Sequence, residues 1–280
     1  ADLAPYENSN CVILYEPIGR NTAPCLAWAC AYIVKRWGKA ALFIAPADHL
    51  IQNDTAFQHT AESCLEYVQD HPHIVTFGIP TQGPHTGYGY IEVEDTDQPF
   101  KSVTKFHEKP DKDLANQYHH SPHFYWNSGM FIANTQLIMQ KIQDHLPSYI
   151  PILNTIESSQ TVAKDVFESF QSISIDYGIM EKASDSIRMV SSDFDWDDLG
   201  GWDALSRYLT TDSAGNNSNQ QIVADNSHNN TLYSTTGKPI VLMNMDNLLV
   251  VETSDVVFVC PKDTHQDIKT LVSKLPEALH

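Results

Sequence analysis

Short apolar runs alternate with helix-period segments through about the first two hundred residues, and the alternation stops near Thr211. This pattern predicts an α/β fold with a mixed, mostly parallel sheet, because continuous apolar strands need helices on both faces. Residues 11–15 (Cys-Val-Ile-Leu-Tyr) read as a buried strand. Over residues 22–37, Leu26, Cys30, Ile33, Val34 and Trp37 recur at helical spacing, with Thr22 as N-cap and Pro24 in the first turn. The same grammar returns as a strand over 40–45, a loop Pro46-Ala47-Asp48-His49, a helix marked by Phe57, Ala61, Cys64, Leu65 and Val68, and a strand over 74–79. Further strands are expected to open at Gly87-Tyr88-Gly89-Tyr90 and to run over 103–107 and 130–133, with helices over 111–119, 136–145 and from 174.

Beyond the break, residues 211–230 are crowded with Asn, Ser, Asp and Gln, which favour turns. Short apolar runs at 240–242, 248–251 and 256–259 then predict an all-β appendage, with a regular spacing that suggests a β-solenoid repeat and a closing helix over 265–275. The expected division is a core over 1–211 and an appendage over 212–280, in keeping with 280 residues at roughly 150 per domain. Exposed β edges in the appendage point to a homodimer.

Composition narrows the function. Seventeen Lys and Arg against 35 Asp and Glu give a net charge of −18, which argues against broad binding to nucleic acid or to an anionic membrane surface. No stretch reaches the roughly eighteen apolar residues of a membrane span. At 42% hydrophobic residues the chain has the material for a packed interior. Five cysteines, odd in number and without a CxxC pair, read as reduced thiols in a cytoplasmic protein.

In an α/β sheet, ligands bind beyond the carboxyl ends of the strands, so polar residues just after buried strands are candidates for chemistry. Asp48 stands three residues after Ala45; a carboxylate there can hold Mg²⁺ against a bound nucleotide, and an aspartate capping the next helix fits the same position. Asp193, Asp195, Asp197 and Asp198 crowd four carboxylates, as a cation site or as an acidic turn. Arg20 and Asn21 sit at a helix N-terminus behind Gly19, suited to an anion or to a plain capped turn. Glu108 beside Lys109 suits a sugar and its phosphate, or a surface ion pair. Gly87, Gly89 and Gly129 permit close approach of a ligand, and Asn127 offers both a donor and an acceptor to a hydroxyl. The histidines lack Cys partners and HExxH spacing, which disfavours zinc, and no Gly-x-Ser-x-Gly elbow supports covalent hydrolysis.

Order and wording add what single residues do not. Glu-Pro-Ile-Gly-Arg-Asn-Thr-Ala-Pro (16–24), Pro-Ala-Asp-His (46–49), Thr-Gly-Tyr-Gly-Tyr-Ile (86–91), Phe-His-Glu-Lys-Pro (106–110), Trp-Asn-Ser-Gly-Met-Phe (126–131), Ser-Ile-Asp-Tyr-Gly-Ile-Met-Glu-Lys (174–182) and Trp-Asp-Asp-Leu-Gly-Gly-Trp (196–202) closely resemble, in register, the mannose-1-phosphate guanylyltransferases. The resemblance implies a Rossmann-like nucleotidyltransferase fold of GT-A type and transfer of GMP from GTP to mannose 1-phosphate, giving GDP-mannose and pyrophosphate. It implies Mg²⁺ on Asp48 and Asp198, mannose on Glu108 and Asn127, and the sugar phosphate on Lys109. Gly87 and Tyr88 would line the sugar pocket, Glu16, Pro17, Gly19, Arg20 and Asn21 would lie near guanine and ribose, and Asp176 would be a further pocket residue. By the same motifs Asp48, Lys109 and Asp198 are the catalytic set.

One departure matters. The family opens with a strand and a glycine-rich loop, Gly-Gly-x-Gly-x-Arg-Leu-x-Pro, that grips the triphosphate, and these residues contain no such segment. The competing reading is therefore a truncated or catalytically silent relative that binds a sugar nucleotide and regulates a partner. A sister enzyme for another sugar or nucleotide fits the Pro-Ile-Gly-Arg-Asn-Thr wording less well.

Overall fold

The structure, a computed structural model, describes residue 8, residues 11–267 and residue 271. The chain forms two compact units, one made of residues up to Ala47 with Ile51–Trp196, the other of Asp48–Leu50 with residues from Asp197 onward.

The first unit begins with α1 (Thr22–Trp37), whose Thr22 N–H is capped by the Asn21 side chain at 2.8 Å and whose buried face carries Leu26, Ala27, Trp28, Cys30 and Ala31. It is followed by β1 (Ala41–Ile44), β2 (Leu50–Ile51), whose Leu50 belongs to the second unit, and α2 (Asp54–Asp70), capped by Asn53 accepting from Ala56 N–H. Next come β3 (Ile74–Pro80), β4 (Tyr90–Val93), β5 (Phe100–His107), α3 (Lys112–His119), β6 (Phe124–Asn134) and α4 (Thr135–His145). The helices α5 (Tyr149–Ile156), α6 (Lys164–Glu168) and α7 (Ile175–Gly178) lead through the 3₁₀ turn Met180–Lys182 to β7 (Ile187–Ser191) and β8 (Trp196–Asp197), whose Asp197 belongs to the second unit.

Six strands form one sheet in the order β1-β6-β3-β7-β5-β4, with β6 also pairing β4. Apolar clusters lie on its two faces. Trp28, Ile138, Ile142, Tyr149, Phe167 and Phe170 fill one, while Cys64, Val68, Phe77, Tyr90, Met130 and Ile132 fill the other. Each such side chain contributes about 1.5–3 kcal/mol by leaving water.

Two expectations are corrected here. The sheet is mixed, but among its described ladders only β3–β7 is parallel; β6 runs antiparallel to β1, β3 and β4, and β5 antiparallel to β4 and β7. Apolar periodicity fixes burial and not direction, so the run of buried strands could not reveal this. Among the described residues, 11–15 join no ladder: Tyr15 N–H donates to Gln160 C=O at 3.0 Å, and the described bridges of the segment are isolated ones, Asn8 to Cys11 and Tyr15 to Thr161. With no described strand alongside, Val12 and Leu14 line an apolar cleft of about 380 Å³ with Trp28, Tyr32, Ile33 and Trp37.

In the second unit, α8 (Trp202–Ser206) precedes β9 (Thr210–Thr211), β10 (Asn217–Ser218), β11 (Ile222–Asp225), β12 (Thr231–Ser234), β13 (Ile240–Met243), β14 (Leu248–Glu252) and β15 (Val257–Pro261). Parallel ladders join β10 to β12, β12 to β14 and β11 to β13, as in a solenoid, and antiparallel β15 covers β14. The coil repeats every 18 residues: Asn226 donates to Asn244 at 2.7 Å, and Asn229 to Asn247 at 2.6 Å. All four have positive φ, between 46 and 56°, a conformation asparagine tolerates better than most residues. The helix expected over 265–275 falls largely outside the described residues, which end that region in the 3₁₀ turn Lys262–Asp267.

Candidate active site

Within the first unit, β5 delivers Glu108 and Lys109 to the end of the sheet, and Lys109 takes the left-handed conformation at φ 44°. Its ammonium stands 3.6 Å from the Glu108 carboxylate. Gly89 lies directly against this pair: its carbonyl accepts from Asn127 N–H at 2.8 Å, and a Cβ there would come within 2.9 Å of Glu108 Oε2. Asn127, on β6, accepts from Gly129 N–H at 3.1 Å, which orients its amide so that Nδ2 donates to Asp176 Oδ1 at 3.2 Å. Five residues from four sequence motifs thus meet in one place.

Charge is crowded there. Burial raises the Asp176 pKa, opposed by the Asn127 hydrogen bond and by Lys109. Glu181, in the 3₁₀ turn after α7, is raised by its own burial and then by the charges of Glu108 and Asp176. Three carboxylates, with Lys109 beside Glu108 and Asp176 and with Lys182 beside Glu181, suit a neutral polyol bearing an anionic group, with acceptors for hydroxyls and a cation for the anion. Sequence pattern does not single out Glu181 within its motif; only the fold shows that its turn packs against β5.

The Arg20 segment is tied to the same neighbourhood. Arg20 donates through Nε and Nη2 to Phe170 C=O at 3.2 and 2.7 Å, and Thr22 Oγ1 accepts from Ile175 N–H at 2.9 Å, next to Asp176. The guanidinium therefore fastens its loop. Asn21, at φ 68°, caps α1, while Gly19 and Pro17 are exposed. Burial raises the Glu16 pKa, and Glu16 in turn helps to raise that of Cys25. Tyr88 is packed rather than open, with its ring stacked on His85 at 4.0 Å and edge-on to Trp126 at 5.0 Å, and Gly87 N–H donates to His85 Nδ1 at 3.2 Å.

The second unit gathers Asp48, His49, Asp197 and Asp198. Burial lowers the His49 pKa against the opposing pull of Asp48, Asp198 and Asp197, so all three carboxylates act on one imidazole. Asp193 belongs elsewhere, accepting from Thr60 Oγ1 at 3.4 Å. Among the described residues no group of three or more His, Cys, Asp or Glu side chains is arranged to hold a metal. A pair of aspartates nevertheless fits the preference of a hard divalent cation for one or two carboxylates completed by water and phosphate oxygens.

These features define a class. Residues 4–214 match the family model described as nucleotidyl transferase, and residues 220–275 match a mannose-phosphate isomerase/GMP-like β-helix domain. The chain belongs to the nucleotidyl transferase family. It is 33% identical over 276 residues to a mannose-1-phosphate guanylyltransferase of Escherichia coli, covering 95% of this chain and 58% of that protein. It is 34% identical over 273 residues to the alginate biosynthesis protein AlgA of Pseudomonas aeruginosa, covering 94% and 56%. A crystal structure from Thermus thermophilus, described as a mannose-1-phosphate geranyltransferase, superposes with a TM-score of 0.85 at 29% identity, over 97% of this chain and 80% of that one. The chain thus spans somewhat over half the length of the curated relatives it matches. No described helix is long and apolar enough to cross a membrane.

Proposed function

We propose that this chain carries the guanylyltransferase reaction, in which GMP passes from GTP to α-D-mannose 1-phosphate and GDP-mannose and pyrophosphate are formed. The observation that carries the reading is the Asn127–Asp176 hydrogen bond beside Glu108 and Lys109, a polar set matched to a pyranose with an anionic substituent. The similarity to guanylyltransferases of two enterobacteria supports the choice of substrates.

In the reaction a phosphate oxygen of the sugar attacks the α-phosphorus of GTP, and the bond to pyrophosphate breaks as the new P–O bond forms. Positioning and charge neutralisation supply most of the catalysis in such a transfer. Glu108 and Asn127 hold mannose hydroxyls, with Asp176 orienting the Asn127 amide, and Gly87 and Tyr88 bound the sugar. Lys109, its side chain 65% exposed, reaches the sugar phosphate and offsets its charge. Glu16, Pro17, Gly19 and Asn21 flank guanine and ribose, on a loop that Arg20 fastens. Asp48 and Asp198 would hold Mg²⁺, which would supply neutralisation of the phosphate charge that develops in the transfer. No triphosphate cradle is assigned within these residues. Cytoplasmic placement is part of the same reading, supported by the absence of disulfides among the five cysteines.

The test is GDP-mannose binding by calorimetry and GDP-mannose formation from GTP, mannose 1-phosphate and Mg²⁺, both on the 280-residue chain. Binding and turnover, with turnover lost in Lys109→Ala, are expected. Binding without turnover would assign the chain instead to a silent sugar-nucleotide-binding relative. Absence of binding to both GDP-mannose and mannose 1-phosphate would overturn the sugar-site assignment.

A further inference from the structure

Asp197 stands beside Asp198 in the sequence, yet the two carboxylates live differently. Asp197 is buried at 5% exposure, and its oxygens accept from three donors. Leu199 N–H donates to Oδ1 at 3.0 Å, Tyr208 Oη–H donates to Oδ2 at 3.1 Å, and the Arg207 guanidinium donates to the same Oδ2. Arg207 and Tyr208 directly follow α8, so one carboxylate ties the Asp197–Gly200 turn to the end of that helix. All of these residues belong to the second unit.

The turn they hold is costly. Leu199 adopts φ 47°, which a residue with a Cβ visits only when its surroundings enforce it. Asp198 Oδ1 accepts from Gly200 N–H at 2.9 Å, and a Cβ on residue 200 would stand 2.8 Å from Asp198 Oδ2. The Asp198 carboxylate therefore lies folded down over a bare glycine backbone, bonded to the Gly200 N–H.

We propose that Asp197, with Arg207 and Tyr208, is a positioning device that fixes the Asp198 carboxylate for a divalent cation without touching the cation itself. Asp197 spends its acceptor sites on Leu199, Arg207 and Tyr208, all within the turn and the end of α8. The inference rests on the reading of Asp198 as a metal ligand. Groups that orient metal ligands typically cost about 10- to 100-fold in metal affinity when altered.

Mn²⁺ binding to the whole chain, followed by electron paramagnetic resonance, tests the proposal together with amide hydrogen exchange of the metal-free protein. Asp197→Asn puts an amide donor against Arg207 and Tyr208; it should weaken Mn²⁺ binding about tenfold or more and speed exchange at Leu199 N–H. Tyr208→Phe removes one hydrogen bond, keeps the ring, and should weaken Mn²⁺ several-fold with the melting temperature little changed; it decides the question if the asparagine variant fails to fold. Unchanged Mn²⁺ affinity in Tyr208→Phe and in folded Asp197→Asn, alongside lost affinity in Asp198→Asn, would overturn the positioning role and leave the metal reading intact. Equal, negligible Mn²⁺ binding in wild type and Asp198→Asn would overturn both.

Discussion

Replacing Asp176 by asparagine should move stability and ligand affinity in opposite directions. Burial raises the Asp176 pKa, and the Asn127 bond and Lys109 only partly offset this. A raised carboxyl pKa means that the folded chain holds the proton more tightly than the unfolded chain does. Stability is then gained as pH falls through the raised value and lost as pH rises through it, over a window that starts near the ordinary carboxylate pKa of about 3.9. Asparagine keeps the outline and removes the charge, so at pH 7 the variant should resist urea at least as well as wild type, and its stability should vary less with pH across that window. Affinity should go the other way. Hydrogen bonds to charged acceptors are worth about 1.5–3 kcal/mol, against about 0.5–1.5 for neutral ones. The 3.2 Å bond from Asn127 orients the amide that faces the sugar, so weakening it together with the carboxylate's own contact should cost GDP-mannose binding about tenfold. Urea titrations at pH 5, 6 and 7, paired with calorimetry, check both halves. A variant less stable at pH 7 with unaltered GDP-mannose affinity would show a structural carboxylate and refute the reasoning.

Other outcomes follow from single contacts. Burial pushes the thiols of Cys30 and Cys64 up to about 12, so iodoacetamide at pH 8 should modify exposed Cys25 in the folded chain and reach those two only after denaturation, as read by peptide mass spectrometry. Cys25 should itself react slowly, because desolvation by the apolar cleft that it lines and the Glu16 carboxylate raise its pKa. Asn216 is fully buried, donates to the Asp212 carboxylate and to Ser227 C=O at 2.9 Å each and accepts from Asn230 N–H and Nδ2. Asn216→Ala should therefore destabilise the solenoid by about 3 kcal/mol or more, seen as a lower denaturant midpoint. Gly89→Ala sets a methyl 2.9 Å from Glu108 Oε2 and 3.6 Å from Asn127 Cβ, and should lower GDP-mannose affinity several-fold in calorimetry with little change in melting temperature.

Local features of this chain are legible because they are written in adjacent residues. The helix expected over 22–37 matches α1, and the strand over 74–79 matches β3 to within one residue. Glu108 and Lys109 are readable as a pair for the same reason. Strand direction, the fate of residues 11–15 and the strand β7 are not, since each depends on which distant backbone lies alongside. Asn127 and Asp176 meet across 49 residues of sequence, and no spacing rule announces that. The 18-residue coil shows why apolar runs are a weak guide to the appendage. Its register is carried by asparagines at turn positions, Asn226 over Asn244 and Asn229 over Asn247, where the demand is for a left-handed backbone and a side-chain amide that bonds the next coil.

Backbone conformation also separates structural from functional strain. Among the described residues, the non-glycine positions with positive φ are those four asparagines and Asn21, Lys109 and Leu199. The solenoid asparagines offset the strain locally, through the hydrogen bonds that join one coil to the next. The other three fall in the motif beside Arg20, at the Glu108 pair and next to Asp198, and for two of them, a lysine and a leucine, a left-handed conformation costs about 1–2 kcal/mol. Nothing in a lysine or a leucine signals that cost in advance. Strain of this kind persists only where surrounding contacts over-determine the backbone. At Leu199 those contacts are the three donors on Asp197, so the residue that sequence pattern ranks as one more aspartate in an acidic run is the one that holds the turn in shape.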